Sequence, residues 1–357
     1  KKIVVIMRFA NIGTSSFIYF FLMTLLVSAN LDEINTPSFD NMAKYTSSTF
    51  KAKKIQKYIN YFSNTEKGRS FYKRVYPRQW QFDKTVKKIF AQYNIPKEFK
   101  YVSMIESGFN YNARSRAGAV GLWQFIPSTA KIFGLRIDEW VDERRDPYRA
   151  TVAAAEYFTS LKKKFGSWEL VLAGYNSGDL TVKAAIEKYN SKDFWYLSRH
   201  TFPKQTKEYV PQILAVITIS KNLTKYGFED LKIEDGIDIE QVEVPPGTRL
   251  DYIATLINID GDLLRRLNPS ILRRITPPDA SYFINVPAGY KEKVYAKFQI
   301  NRDLHTYKIE KGDTLSGIAL KFSNSIDEIY ILNNLSSSTI YAGDTILVYK
   351  KSSPSGQ

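Results

Sequence analysis

The sequence predicts a multidomain chain in which an all-α domain over residues 83–228 is followed by two small α+β modules. Residues 83–228 run through one helical apolar spacing after another, each with capping signals, and show hardly any period-two alternation. After Gly227 the texture changes to β-branched runs with Pro-Pro and Gly turns. A gapless internal repeat then appears at an offset of 65 residues: Val244-Pro-Pro-Gly-Thr-Arg-Leu250 aligns with Ile309-Glu-Lys-Gly-Asp-Thr-Leu315. The register continues through Ile253/Ile318, Ala254/Ala319, Leu264/Ile329, Leu267/Leu332 and Asn268/Asn333. Each copy reads strand, turn, helix, helix, strand, and closes near Ile284-Asn285-Val286 or Ile346-Leu347-Val348.

The elements follow in order. Lys1, Lys2 and Arg8 precede the apolar run Phe17–Val27 and a small-residue site at Val27 and Ala29, which reads as a signal peptide over residues 1–29. At 11 residues the run is shorter than the roughly 20 that span a bilayer, although an uncleaved anchor reaching back through Phe9 and Ile12 stays open. Residues 30–82 are polar, Lys-rich and aromatic, and are expected to form a helical extension. In the helical domain, one helix opens at Pro96 and stops at Gly108, and a second runs from Pro127 to Gly134. Asp146-Pro147 caps a long helix that Gly166 closes, and further helices cover 168–175, 180–189 and 206–226. The repeats are placed at 241–288 and 303–349, and the tail 350–357 is expected to be disordered.

Composition narrows the chemistry. The 357 residues, 44% hydrophobic and 24% charged, describe a folded chain. With no Cys and only His200 and His305, thiol nucleophiles, Cys-based metal sites and disulfides are excluded, and no cofactor or metal is expected. A formal charge of +15 favours an anionic partner. An exported chain does not meet nucleic acid, so the anionic polymer of the envelope is the expected partner. Without a Cys for acylation the protein is expected to be soluble in the periplasm, or held at the membrane by an uncleaved signal helix.

On the helix opening at Pro96, Phe99, Val102 and Glu106 are spaced three and four apart, which sets a carboxylate in an apolar stripe. Burial disfavours its charged form, and the helix C-terminus signalled by Gly108 acts in the same direction. The residue is thus a candidate general acid. On position alone, a Glu satisfied by a buried Arg or by backbone amides accounts for it equally well.

Downstream lie Gly121-Leu-Trp-Gln-Phe125 and Ala173-Gly-Tyr-Asn176, then Asp193-Phe-Trp195 and Tyr209-Val-Pro211. Together with Glu106-Ser107, in this order and spacing, they resemble the Slt-type lytic transglycosylases, and the repeats resemble LysM domains. The resemblance implies a lysozyme-like helical domain that cleaves the β-1,4 bond between N-acetylmuramic acid and N-acetylglucosamine in peptidoglycan without water, leaving 1,6-anhydro ends. It implies that Glu106 alone serves as acid and then base, where ordinary glycosidases use two carboxylates.

It further implies that Ser107, Gln124, Tyr175, Asn176 and Tyr209 line the substrate site, with the Tyr175 hydroxyl supporting Glu106 and the Asn176 amide reaching the sugar. Trp123 could stack on a sugar or belong to the core, Gln124 could be a helix-terminal polar residue, and Asn176 could be a cap before Gly178. Asp146 reads as an N-cap, and Asp138, Asp142, Glu156 and Asp179 as solvated surface. Gln205 stands where the family usually has Glu, and Pro-Pro-Gly-Thr-Arg departs from the usual LysM turn, so the downstream copy is expected to bind glycan and the upstream copy to be partly spacer. A muramidase-type hydrolase on the same fold and a non-catalytic wall-binding protein are the rival readings.

Overall fold

The computed structural model describes residues 49–298, 302–333 and 335–351. The expected signal peptide and residues 30–48 of the extension lie outside them.

Helices α1 (Thr49–Asn64) and α2 (Glu66–Val75) form a hairpin, and a 3-10 segment, Tyr76–Gln81, leads into α3 (Asp83–Gln92). Gly68 lets the hairpin close, because a Cβ there would stand 1.9 Å from the Tyr61 carbonyl oxygen. Then come α4 (Lys100–Ser107), α5 (Pro127–Ile132), α6 (Pro147–Phe165), α7 (Trp168–Ser177), α8 (Asp179–Tyr189), α9 (Phe194–His200) and α10 (Lys204–Lys221). Helix α6 starts at Asp146, whose carboxylate accepts from the Tyr148 and Arg149 amides, and its alanines 150 and 153–155 are buried against the neighbouring helices. The core is aromatic: Phe90, Phe99, Trp123 and Phe158 are buried and meet edge-on or tilted. The α9 helix was not anticipated, although Asp193 announces it by accepting from the Trp195 and Tyr196 amides.

The upstream module comprises β1 (Ile239–Val244), α11 (Leu250–Ile257), α12 (Gly261–Leu267) and β2 (Tyr282–Pro287), followed by α13 (Lys291–Phe298). The downstream module comprises β3 (Arg302–Lys308), α14 (Leu315–Lys321), α15 (Ile326–Asn333) and β4 (Thr345–Lys351). Each pair of strands is antiparallel, with Val242 opposite Ile284 and Thr306 opposite Leu347. The strand, helix, helix, strand order therefore holds in both copies. Two details differ from expectation. Helix α13 extends the upstream copy beyond 288 and buries Val294, and β4 runs two residues into the segment expected to be disordered. Residues 352–357 of that segment lie outside the described residues.

The upstream module is no loose spacer. Its loop pairs with the helical domain in a short bridge, where the Asp142 amide donates to the Ser270 carbonyl and the Leu272 amide to the Trp140 carbonyl, both at 2.9 Å. Val141, fully buried, belongs to the module's own core. Among the described residues no helix is long and apolar enough to cross a membrane.

Candidate active site

Glu106 occupies the last turn of α4, two residues before the C-cap Gly108. The helix ends there because Gly108 takes a left-handed conformation (φ 61°), with its amide bonded to the Met104 carbonyl. A Cβ on Gly108 would also press against Val75 at 3.3 Å. The Glu106 side chain is half-buried, and Tyr209 of α10 donates its hydroxyl to Oε1 at 2.6 Å. Loss of solvent raises the Glu106 pKa, and the Tyr209 hydrogen bond only partly offsets this.

Three elements bring Tyr209 and Glu106 together. Helix α10 is tied to α1 by Glu208, the neighbour of Tyr209, whose carboxylate accepts from Lys54 at 2.6 Å, Lys57 at 2.7 Å and Tyr58 at 2.6 Å. Partial burial opposes the charge on Glu208, yet these donors hold its pKa down at about 2. The N-terminal extension thereby braces the helix that carries Tyr209.

The loop facing α4 is built by its own backbone. Gly121 adopts φ 87°, and a Cβ there would lie 1.7 Å from the Arg144 carbonyl oxygen, so only glycine fits. Its amide donates to the Ala113 carbonyl at 3.0 Å. Ser107 ties the helix to this loop by donating to the Leu122 carbonyl at 2.9 Å. The buried Arg144 guanidinium binds both oxygens of Asp142 at 2.9 Å and reaches the carbonyls of Gly118 at 2.9 Å and Phe125 at 3.2 Å. Sequence reasoning missed this anchor. The only signal for it was the charged run Asp142-Glu-Arg-Arg-Asp146, which on its face reads as surface.

The comparisons with known proteins agree with this architecture. The transglycosylase SLT domain model matches residues 85–198, the LysM-like domain of the lytic transglycosylase MltD matches 238–299, and the LysM domain model matches 307–348. The chain therefore carries a transglycosylase SLT domain followed by LysM modules. Membrane-bound lytic murein transglycosylase D of Escherichia coli K12 is 30% identical over 275 residues, which are 71% of this chain and 60% of that protein. This chain therefore matches less than two thirds of that relative's length. Peptidoglycan transglycosylase gp16 of phage T7 is 37% identical over 100 residues, covering 27% of this chain and 8% of gp16. The cell wall-binding protein YocH of Bacillus subtilis is 52% identical over 42 residues, 12% of this chain and 15% of YocH.

Within the SLT domain, the residues singled out from sequence divide into two groups. Glu106 and Tyr209 are in direct contact, and Asn176 of α7 is tied to the helix that carries Tyr209, its side-chain carbonyl oxygen accepting from Thr206 of α10 at 3.0 Å. Tyr175 behaves otherwise than expected: its hydroxyl donates to the Trp123 carbonyl at 2.6 Å, and Tyr209 makes the contact to Glu106. Ser107 and Gln124 act on backbone, Ser107 as above and Gln124 by donating to the Ala113 carbonyl at 3.3 Å and the Gly121 carbonyl at 2.9 Å. At φ 51°, Gln124 sits in a turn and not at a helix terminus.

Trp123 is 1% exposed, and its indole nitrogen donates to Thr151 at 3.0 Å. Its ring face cannot meet a sugar, so it belongs to the core. Gln205 is exposed in the first turn of α10. Asp142 and Glu156 are also not solvated surface: Asp142 is 7% exposed in the Arg144 pair, and Glu156 is engaged by Ser316 of the downstream module. Asp138 and Asp179 do lie outward, paired with Arg136 and Lys164.

Proposed function

We propose that this protein is a lytic transglycosylase of the cell envelope, cleaving the β-1,4 bond between N-acetylmuramic acid and N-acetylglucosamine of peptidoglycan without water. Glu106 is its single acid and base. The observation that carries this reading is the setting of that carboxyl. Its pKa is raised by burial and moderated by Tyr209, with no contribution from a neighbouring carboxylate. A paired-carboxylate glycosidase would set a second acid against it. The aspartates near in sequence are engaged elsewhere, Asp138 by Arg136, Asp142 by Arg144 and Asp179 by Lys164.

In the proposed reaction neutral Glu106 gives its proton to the glycosidic oxygen as the C1–O bond breaks. The Tyr209 hydroxyl stabilises the carboxylate that results. The muramyl C6 hydroxyl then bonds to C1 and yields its proton to Glu106, so the acid is regenerated and no water is consumed. With its oxygen held by Thr206, the Asn176 side chain offers its NH2 to the sugar. Tyr175, Gln124 and Ser107 shape the loop that backs the site. The LysM modules add the affinity for the polymer, through effective concentration.

Mass spectrometry of the products tests the reading, since anhydro ends are one water lighter than the reducing ends left by a hydrolase. Glu106→Gln should lower turnover on isolated sacculi to less than about a tenth of wild type while circular dichroism is unchanged. Reducing-end products would establish the hydrolase. Full activity in Glu106→Gln would remove Glu106 from the chemistry. Because turnover starts from the protonated acid, kcat/KM should fall as pH rises through the raised pKa of Glu106. A fall on the acid side with the fold intact would bring back a second carboxylate.

A further inference from the structure

The upstream module and the SLT domain enclose between them an open groove of about 260 Å³, lined by Tyr111, Asn112, Asp262, Arg265, Arg266 and Pro269. Its position is tied to the site. Tyr111 follows Glu106 by five residues, a reach of at most about 18 Å of chain. The intervening turn is held to α4 by the Asn110 amide donating to Ser107 at 3.3 Å. Arg145 donates to Asn112 at 3.5 Å from a segment whose backbone packs on Gly121, so the groove and the Gly121–Phe125 loop share a wall.

The charges of the groove are not equivalent. Arg265 is committed to Asp251 at 2.6 Å and to Asp262, which places both of these carboxylates and that guanidinium in internal pairs. Arg266 faces Asp260 at 4.0 Å, beyond hydrogen-bond distance, and its side chain is 59% exposed. It is a bidentate donor with capacity left for an incoming anion. Tyr111 and Pro269 give apolar walls, and Asn112 gives an amide suited to a peptide backbone.

A guanidinium binds the neutral oxygens of a sugar more weakly than a carboxylate, and the stem peptides of peptidoglycan carry free carboxylates. We infer that this groove binds a carboxylate of the peptide stem next to the cleaved strand, with Arg266 as its donor. The upstream module is thereby a peptide-reading wall of the active site. This rests on the function proposed above.

The test uses the full chain carrying Glu106→Gln, which holds strands without cutting them. Its affinity is measured for glycan strands of one length, with their peptides and after an amidase has removed them and the lactyl carboxylates so exposed have been capped as methylamides. Peptide-bearing strands should bind roughly fivefold tighter, the size of one partly exposed charge-assisted hydrogen bond. Adding Arg266→Glu should abolish that preference and leave the affinity for bare strands unchanged, and Arg266→Lys should retain most of it. The inference is overturned if the parent shows no preference, if Arg266→Glu keeps it, or if Arg266→Glu weakens both strands alike. Cleavage of bare strands by wild type to anhydro products tests the proposed function separately, because no peptide is present.

Discussion

In each C-terminal module an asparagine at the end of the second helix pins the last strand. Asn268 accepts from the Asn285 amide and donates to its carbonyl, both at 2.7 Å, and Asn333 does the same to Leu347 at 2.7 and 2.8 Å. The residue being pinned differs. Asn285 sends its side chain to the Leu267 carbonyl at 2.9 Å and on to Asp146, the N-cap of α6, at 3.3 Å. Leu347 is a half-buried apolar residue. Around Asn285 a buried network forms: Tyr282 donates to Glu143 at 2.8 Å, and Arg149 pairs with Glu143 at 3.1 Å and reaches the Phe283 carbonyl. The downstream copy meets the SLT domain at the end of α3 and on α6, and its buried apolar residues form one cluster with the helical core. At α3, Tyr330 and the Ser338 amide donate to the Gln92 carbonyl at 2.8 Å, and Lys88 pairs with Asp327 at 2.9 Å in a partly exposed contact. A single module fold thus joins the helical domain through a buried polar network in one copy, and through an apolar core continuous with that of the helices in the other.

Truncation should separate the two most strongly. A chain ending at Asp235 leaves Val141, Glu143 and Arg149 uncovered, and its melting temperature should fall by ~10 °C or more. A chain ending at Phe298 keeps the network around Asn285 and loses the apolar packing of the downstream copy, so its melting temperature should fall by less, about 5 °C, with activity on short glycans kept and binding to sacculi weakened. Because the shorter chain lacks both copies, equal losses in calorimetry would mean that the upstream copy adds nothing to the stability of the helical domain.

Exchanging the pinned residues sharpens this. Asn285→Leu keeps the strand, because Asn268 holds backbone, but leaves Asp146 and the Leu267 carbonyl short of a donor. The cost should be about 1–3 kcal/mol in denaturant unfolding. Leu347→Asn should cost less than about 1 kcal/mol. The reverse ranking would show that Asn285 serves only its own module.

The sequence made the periodic and the local parts legible. The helix stop at Gly108, the Asp146 cap, the Asn268/Asn333 register and the carboxylate in the Glu106 stripe each depend on residues within a turn or two, or on a repeat. Contacts between distant segments were hidden. Nothing near Tyr209 or Tyr175 states which hydroxyl will face Glu106, since that depends on how α10 and α7 pack. The charged run 142–146 reads as surface until the upstream module covers it. Trp123 in a loop motif gives no sign of which way its ring turns.

The smallest expected effect concerns the downstream interface. Glu156 of α6 accepts from Ser316 of that module and from Tyr93 at 3.4 Å, both at Oε1. Burial raises its pKa, and the two hydroxyls only partly restore it. The other titratable group facing Glu156 is Tyr93, itself pushed well up by burial and by the Glu156 charge. A carboxyl whose folded pKa lies above its unfolded value holds its proton more tightly in the docked state. Its contribution is fully present below the ordinary Glu value of roughly 4.3 and is lost as pH rises through the raised pKa. Glutamine is neutral at every pH and keeps the oxygen that Ser316 and Tyr93 use. Glu156→Gln should therefore melt higher than wild type at pH 7.5, and the difference should shrink toward zero at pH 4. The chain ending at Phe298 lacks Ser316, so truncation and substitution together should show a smaller pH-dependent difference than the substitution alone. A difference independent of pH, or one equally large in the truncated chain, would mean that Glu156 does not report on the docking of the downstream module.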